Sequence, residues 1–237
     1  TIIWDKNSLA ELRELAPGES ARLFFSFTPL SPLFDGARIK NPVLALSIVA
    51  EGKNFSSEGV LKDVRVETSQ IAKVTSDVRL TQRAAYYEGP FSNSGPLPPK
   101  AETETTYTIF WTVVNTANDI RDISVKARLP AYMRWVGAVS PSGESVSYDP
   151  DERLISWRAG DIAAWKGIAS PSREAAFQVG FLPSVSHIGS TPALILEAAL
   201  QGTDEFTNTA LSDASPEATT ELTTDSKFQS GNGAVTQ

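Results

Sequence analysis

The chain has 237 residues, a formal net charge of −7 and no cysteine. The lack of cysteine excludes disulfides, thiol catalysis and thiolate metal sites. An acidic chain without basic clusters is a poor binder of nucleic acid. These features fit a cytosolic protein or a bacterial surface protein that does without disulfides.

The first predicted elements are short. TIIW (1–4) is a strand-like run, and we expect the original N-terminus to have been removed or to lie upstream. SLAELREL (8–15) has leucines three residues apart, which a short helix would also show. Its counterpart later in the chain is loop-like, so we interpret it as a connection.

That counterpart belongs to an internal repeat. Residues 1–30 match 154–184, and ALSIVAEGKNF (45–55) matches LEAALQGTDEF (196–206). The aligned pairs are Trp4 with Trp157, Pro17 with Pro171, Phe27 with Phe181 and Gly52 with Gly202. Self-similarity at one spacing indicates tandem copies of a single unit, here as large as a domain.

The two copies differ in completeness. Residues 79–226 contain a whole unit, and residues 1–78 contain only the later part of one. Three explanations are compatible with the sequence: a chain that has been cut, a reduced fold, and strands supplied by another chain. We favour the cut chain. The Gly-rich end, 227–237, is predicted to be a flexible tail.

The second copy reads as a series of short strands. YTIFWTVV (107–114) alternates with period two and is apolar on both faces, as in a central strand, and NTAND (115–119) is predicted to be a turn. Other alternating runs and turns predict strands near 78–87, 123–129, 132–139, 146–149, 154–157, 175–181, 192–200 and 217–224. Seven to nine short strands without a long helical pattern favour an antiparallel β-sandwich, about the number in immunoglobulin-type domains.

Large aromatic side chains on these runs are the predicted structural core. Trp111 and Trp157 stand where an immunoglobulin domain would have its cysteine-flanked tryptophan. The full predicted set is Trp4, Trp111, Trp157, Phe177 and Phe181.

The motifs LP-x4-WVG (129–137) and PSGESVSYDPDERLISW-x2-GDI (141–162) resemble a repeat domain of bacterial surface proteins. That family is catalogued as the eleventh domain of unknown function. GPFSNSGPLPPK (89–100) and LTTDSKF (222–228) further resemble uncharacterised surface proteins of candidate-phylum bacteria. The resemblance implies tandem immunoglobulin-like sandwiches, the first incomplete, in an extracellular, envelope-anchored protein. It brings no catalytic residues.

Residues that can carry chemistry are few. His187 is the only histidine, and its loop context favours a solvent-facing side chain over a catalytic one. Asp149, Asp151 and Glu152 form an acidic turn, which is more often a solvated hairpin tip than a carboxylate pair or a Ca²⁺ site. Asn118, Asp119 and Asp122 make a second such cluster. We therefore predict no enzymatic activity and no cofactor, with Ca²⁺ as the alternative.

Three aromatic residues remain as a candidate glycan site: Tyr132, Trp135 and Trp165. Exposed rings stack on sugars, but the same residues also suit the closure of a sandwich. The favoured function is a non-catalytic module for spacing, display or adhesion on a bacterial cell surface. The alternatives are a carbohydrate-binding domain and a subunit that self-associates by strand addition through its incomplete first unit.

Overall fold

The computed structural model describes residues 1–28, 38–55 and 59–237, and every strand ladder in these ranges is antiparallel. The strands in chain order are β1 (Val43–Phe55), β2 (Leu61–Lys73), β3 (Val78–Ala85), β4 (Thr105–Asn115), β5 (Ile120–Arg128), β6 (Met133–Ser140), β7 (Ser145–Asp149), β8 (Leu154–Ile162), β9 (Arg173–Phe181), β10 (Ala193–Ile195), β11 (Ala198–Asp204), β12 (Ala210–Ser215) and β13 (Ala218–Thr219). Short 3₁₀ turns lie at Ala10–Leu12 and Val185–His187.

The prediction of an all-β antiparallel sandwich is confirmed. A five-stranded sheet, in the order β12-β11-β5-β8-β7, packs against a four-stranded sheet, in the order β3-β4-β9-β6. The central strand β4 is buried at nearly every position, as its doubly apolar pattern predicts. No helix in the described ranges is long and apolar enough to cross a membrane.

The core between the sheets is built on aromatic rings. Trp111 of β4 and Trp157 of β8 stack with centroids 6.5 Å apart, and Phe177 meets Trp111 edge-on at 4.9 Å. These three side chains and Phe181 are fully buried. The Trp111 indole N–H donates to Oε1 of Gln82 at 2.7 Å, so the largest core side chain keeps a hydrogen bond.

The predicted run 192–200 is two strands rather than one. The strand is interrupted between β10 and β11, and Leu196 at this interruption is 39% exposed. The Leu196 carbonyl accepts a hydrogen bond from the Gln82 side chain, which holds this irregular point against β3. Strand β8, by contrast, is longer than the predicted run 154–157 and continues to Ile162.

One lateral opening of the sandwich is closed by side chains. The backbone N–H of Leu80 on edge strand β3 donates to Asp213 at 2.6 Å, and the N–H of Gln82 donates to Ser215 at 2.8 Å. Both acceptors lie on edge strand β12 of the other sheet. Side-chain oxygens thus satisfy the amides that a free sheet edge would leave open.

The tail prediction for 227–237 was wrong. Val235 is 2% exposed and belongs to the core, and its N–H donates to the Ser190 carbonyl at 3.0 Å. The Thr236 N–H donates to the Pro99 carbonyl at 2.8 Å. Val235, the partly buried Phe228 and these backbone hydrogen bonds dock the glycine-rich segment on the sandwich.

The prediction for Trp4 was also wrong. Residues 1–28 contain no strand, and Trp4 is only partly buried, with Phe25 as its ring neighbour at 6.0 Å. Phe25 and Phe27 are themselves 40% and 60% exposed. These aromatic residues have no closed core to enter among the described residues of the first copy.

Candidate interaction site

His187 does not sit in a catalytic arrangement. It ends a 3₁₀ turn, where its Nδ1 accepts the Ser184 N–H at 3.0 Å. Its ring packs edge-on against Tyr132 at 4.7 Å. These contacts give the histidine a capping and packing role at the end of the sandwich.

The acidic turn is a hairpin tip. Oδ1 of Asp149 accepts the N–H groups of Asp151 at 2.9 Å and Glu152 at 3.2 Å, and all three residues are exposed. An aspartate that bonds the backbone two residues on is ordinary turn chemistry. In the part of the chain that the structure describes, no group of three or more histidine, cysteine or acidic residues is arranged to hold a metal ion.

The second cluster has a structural role. Asn118 is buried and donates to Asp204 at 2.7 Å, whereas Asp119 forms an ion pair with Lys40 and accepts the Ala164 N–H. The Lys40 side chain is the main cause that lowers the pKa of Asp119. Asp122 is exposed on a bulge of β5 with a φ of 57°. The three side chains therefore do not converge on one site.

The candidate glycan residues are not brought together. Tyr132 lies near the N-terminal end of β4. Its chain neighbour Met133 and the first residue of β4, Thr105, both pair with Phe181. Trp165 lies near the C-terminal end of β4, where its backbone N–H donates to the Thr116 carbonyl at 2.7 Å. Its side chain is buried. An 11-residue strand separates these ends by about 35 Å.

Trp135 is also occupied within the fold. Its ring lies 5.9 Å from Tyr148 and 5.4 Å from Phe177. It packs at the rim of the main core together with Tyr132. Tyr132 and Trp135 are both partly buried and contribute to the packing of the sandwich.

The surface that stands out is the hairpin formed by β1 and β2. Its 13 residue pairs run from Val43 opposite Lys73 to Phe55 opposite Leu61, and almost every side chain is exposed. Pairing with any third strand is absent in the described ranges. An isolated two-stranded hairpin is marginal in water unless further strands or packing support it.

The two faces of this hairpin differ in chemistry. On one face, here called the charged face, the ion pairs Arg65–Glu51, Arg65–Glu67 and Lys53–Asp63 lie side by side. On the other, the apolar face, β1 presents Leu44, Leu46, Ile48, Ala50 and Gly52, and β2 presents Val64, Val66 and Ala72. The only charged residue on the apolar face is Lys62, at the tip. The apolar face has the composition of one half of a sandwich core.

The internal repeat supports that interpretation. With Gly52 aligned on Gly202, the hairpin β1–β2 corresponds to β11–β12, and Ile48 and Ala50 correspond to Ala198 and Leu200. Ala198 and Leu200 are fully buried, whereas Ile48 is 46% exposed. The residues that face the core in the second copy face solvent in the first.

A comparison of Gly52 with Gly202 shows that β1 lacks the neighbouring strand that β11 has. A side chain at Gly202 would meet Ile123 of β5 at 2.4 Å, because β5 pairs with the outer edge of β11. A side chain at Gly52 would meet nothing within 4 Å. The edge of β1 that corresponds to the β5-binding edge of β11 is therefore open.

The base of the hairpin is firmly joined to the sandwich. The Asn41 N–H donates to the Ala117 carbonyl at 3.3 Å, and the Lys73 ammonium lies over the Phe206 ring at 4.6 Å. The Ser76 N–H donates to the buried Asp204 at 2.8 Å. Burial on its own raises the pKa of Asp204, but hydrogen bonds from Ser76, Asn118 and Thr207 outweigh it and hold the pKa below its ordinary value.

The sequence predicts the repeat and offers strand addition through the incomplete first unit as an alternative, but it does not identify which face of β1 and β2 is apolar. The signal was present in the order of side chains on β1, where large aliphatic residues alternate with polar or small ones. A one-residue change of register moves every side chain to the other face. Only the observed pairing with β2 shows that the aliphatic set and the charged set lie on opposite faces.

Comparisons with known proteins give fold-level likenesses. No protein-family model matches the chain, and no curated protein matches it. A single-substitution form of the major pilin subunit of Bacillus cereus is 9% identical, with a TM-score of 0.39 over 72% of this chain and 48% of that one. The full-length major pilin SpaD of Corynebacterium diphtheriae is 12% identical, with a TM-score of 0.39 over 85% of this chain and 64% of that one.

A GH20 exo-β-N-acetylglucosaminidase of Vibrio harveyi is also similar, at 6% identity and a TM-score of 0.33. That match covers 64% of this chain and 19% of the enzyme. The chain thus spans less than two thirds of the length of each of these three proteins.

Proposed function

We propose that this chain is a non-catalytic structural and interaction module of a bacterial cell-surface protein. In this proposal, residues 79–226 form the complete structural unit and residues 1–78 form an incomplete unit that makes the contacts. The cell-surface setting is supported by the resemblance of the motifs at 129–137 and 141–162 to a surface-protein repeat.

The observation that carries the proposal is the exposed apolar face of β1 and β2. Exposed contiguous apolar surface on a folded chain marks an interaction site or an aggregation risk. Here Ile48 and Ala50 on that face align with Ala198 and Leu200, which are fully buried in the sandwich. Its removal from water by a partner would therefore complete a known packing arrangement.

Self-association is the form of contact that can be tested directly. Light scattering across a wide range of concentration should give a mass that climbs above the 25.5 kDa monomer. Ile48→Asp places a charge on the apolar face and should hold the chain at the monomer mass. The matched control Ile71→Asp alters an exposed residue of the charged face and should behave as the unaltered chain does.

Two results would count against the proposal. A constant monomer mass for the unaltered chain would exclude self-association through this hairpin. Equal association of all three proteins would show that the contact lies elsewhere on the molecule.

A further inference from the structure

The outer edge of β1 is a self-complementary docking strand. We infer that two copies of the chain pair through this edge, β1 against β1 in antiparallel orientation, to form the continuous sheet β2-β1-β1-β2. This inference rests on the proposed function and names a second copy as the partner. The pairing extends the sheet at its edge and leaves the apolar faces of both copies side by side on one surface of that sheet.

The order of side chains along the apolar face supports a second copy. Leu44, Leu46 and Ile48 are large and fill the first half of the strand, whereas Ala50, Gly52 and Asn54 are smaller and fill the second. When two identical antiparallel strands overlap fully, the first half of one lies beside the second half of the other. On the apolar face, each large side chain then has a smaller one as its cross-strand neighbour.

One register pairs all 13 residues of β1. The two-fold axis of this register passes between the Val49 residues of the two copies, which lie opposite each other. The register also sets Leu46 opposite Gly52 and Ile48 opposite Ala50 of the second copy. On the charged face Glu51 then lies opposite Ser47 and Lys53 opposite Ala45. No like charges are directly opposed, which is the pairing error that most destabilises a sheet.

A register with its axis at Glu51, two residues further along the strand, is less favourable, because it would set the two Glu51 carboxylates against each other. The Val49 register also pairs Val43 with Phe55 at both ends of the contact, a β-branched residue against an aromatic ring, which is among the stabilising cross-strand pairs.

Among the described residues, no third strand occupies the outer edge of β1. The hairpin is joined to the sandwich at Val43 and Lys73, and its strands extend about 40 Å from that base. Two-fold pairing places the two sandwiches at opposite ends of the shared sheet. The single strand contact is small for a protein interface, so the association is of the weak, concentration-dependent class.

Single cysteines test the geometry cleanly because the chain has none. Val49→Cys places a thiol on the two-fold axis, within cross-strand reach of its mate, and mild oxidation should give a covalent dimer. The control Glu67→Cys is the neighbour of Val49 on β2 and the same face. In the proposed sheet β2-β1-β1-β2, the two Glu67→Cys positions lie three strand spacings apart, about 14 Å, which is too far for a disulfide.

A mixture of two variants tests the register. Leu46→Cys and Gly52→Cys should each remain monomeric under oxidation, and should form a mixed disulfide when combined. Gly52 has open space around it and an ordinary backbone conformation, so the substitution is tolerated.

The outcomes separate this inference from the proposed function. Rapid cross-linking of Val49→Cys with none for Glu67→Cys supports the edge pairing. Cross-linking of Glu67→Cys alone, in a chain that does associate by light scattering, would overturn the edge pairing and leave the interaction module intact. Absence of both association and cross-linking would overturn both.

Discussion

At the residue scale, buried polar side chains hold the molecule together at points that the sequence pattern does not mark. Gln82 is 9% exposed, accepts from Trp111 and donates to the carbonyls of Leu196 and Pro216. It joins both sheets and the break between β10 and β11. A lone glutamine in an alternating strand gives no sign of this role, because its partners are distant in sequence.

Asp204 is the second buried polar residue of this kind. Because its pKa is lowered in the folded state, the stability of the fold depends on pH. A carboxyl group whose folded pKa lies below its unfolded value stabilises the fold above the unfolded value, about 3.9 for aspartate, and that stability is lost as pH falls through the folded pKa. The melting temperature should therefore hold steady between pH 7 and 5 and fall below about pH 4.

Asp204→Asn is the matched variant. It keeps the shape of the side chain but removes the titrating group, so thermal melts should show a smaller acid loss than in the unaltered chain. An identical acid profile for the two proteins would exclude Asp204 as a contributor.

At the element scale, equivalent strands of the two copies sit in different surroundings. Gly202→Val should destabilise the sandwich by about 1–3 kcal/mol, because the new side chain collides with the buried Ile123. Gly52→Val should leave the stability of the monomer unchanged, because the same position on β1 is open.

Chemical denaturation of the two variants at low protein concentration measures this difference. Equal loss of stability in both would mean that β1 already has a neighbour over Gly52. No loss in either would mean that β5 can move away from Gly202.

Much of the sandwich was predictable at this scale, and the reasons are physical. Strands β3 to β9 show period-two alternation or doubly apolar runs bounded by turns, and both patterns follow from burial on one or two faces. The split at Leu196, the docking of Val235 and the irregular path of residues 1–28 depend on tertiary contacts. No local pattern encodes them.

At the scale of the whole molecule, the chain combines a closed unit with an open one. The sandwich is closed at one side by Asp213 and Ser215, which cap the edge of β3. In the ranges that the structure describes, β1 pairs with β2 alone, so its second edge has no strand beside it. The interaction site was therefore visible only once the pairing of β1 with β2 was known.

The most direct test of the central claim is hydrogen–deuterium exchange across β1 at low and high protein concentration. Amides of Val43–Phe55 that face away from β2 should exchange fast when dilute and become protected when concentrated, whereas the outer amides of Leu61–Lys73 should stay fast throughout. Exchange of β1 that is independent of concentration would contradict the account, since it would show that this edge receives no strand from a second copy.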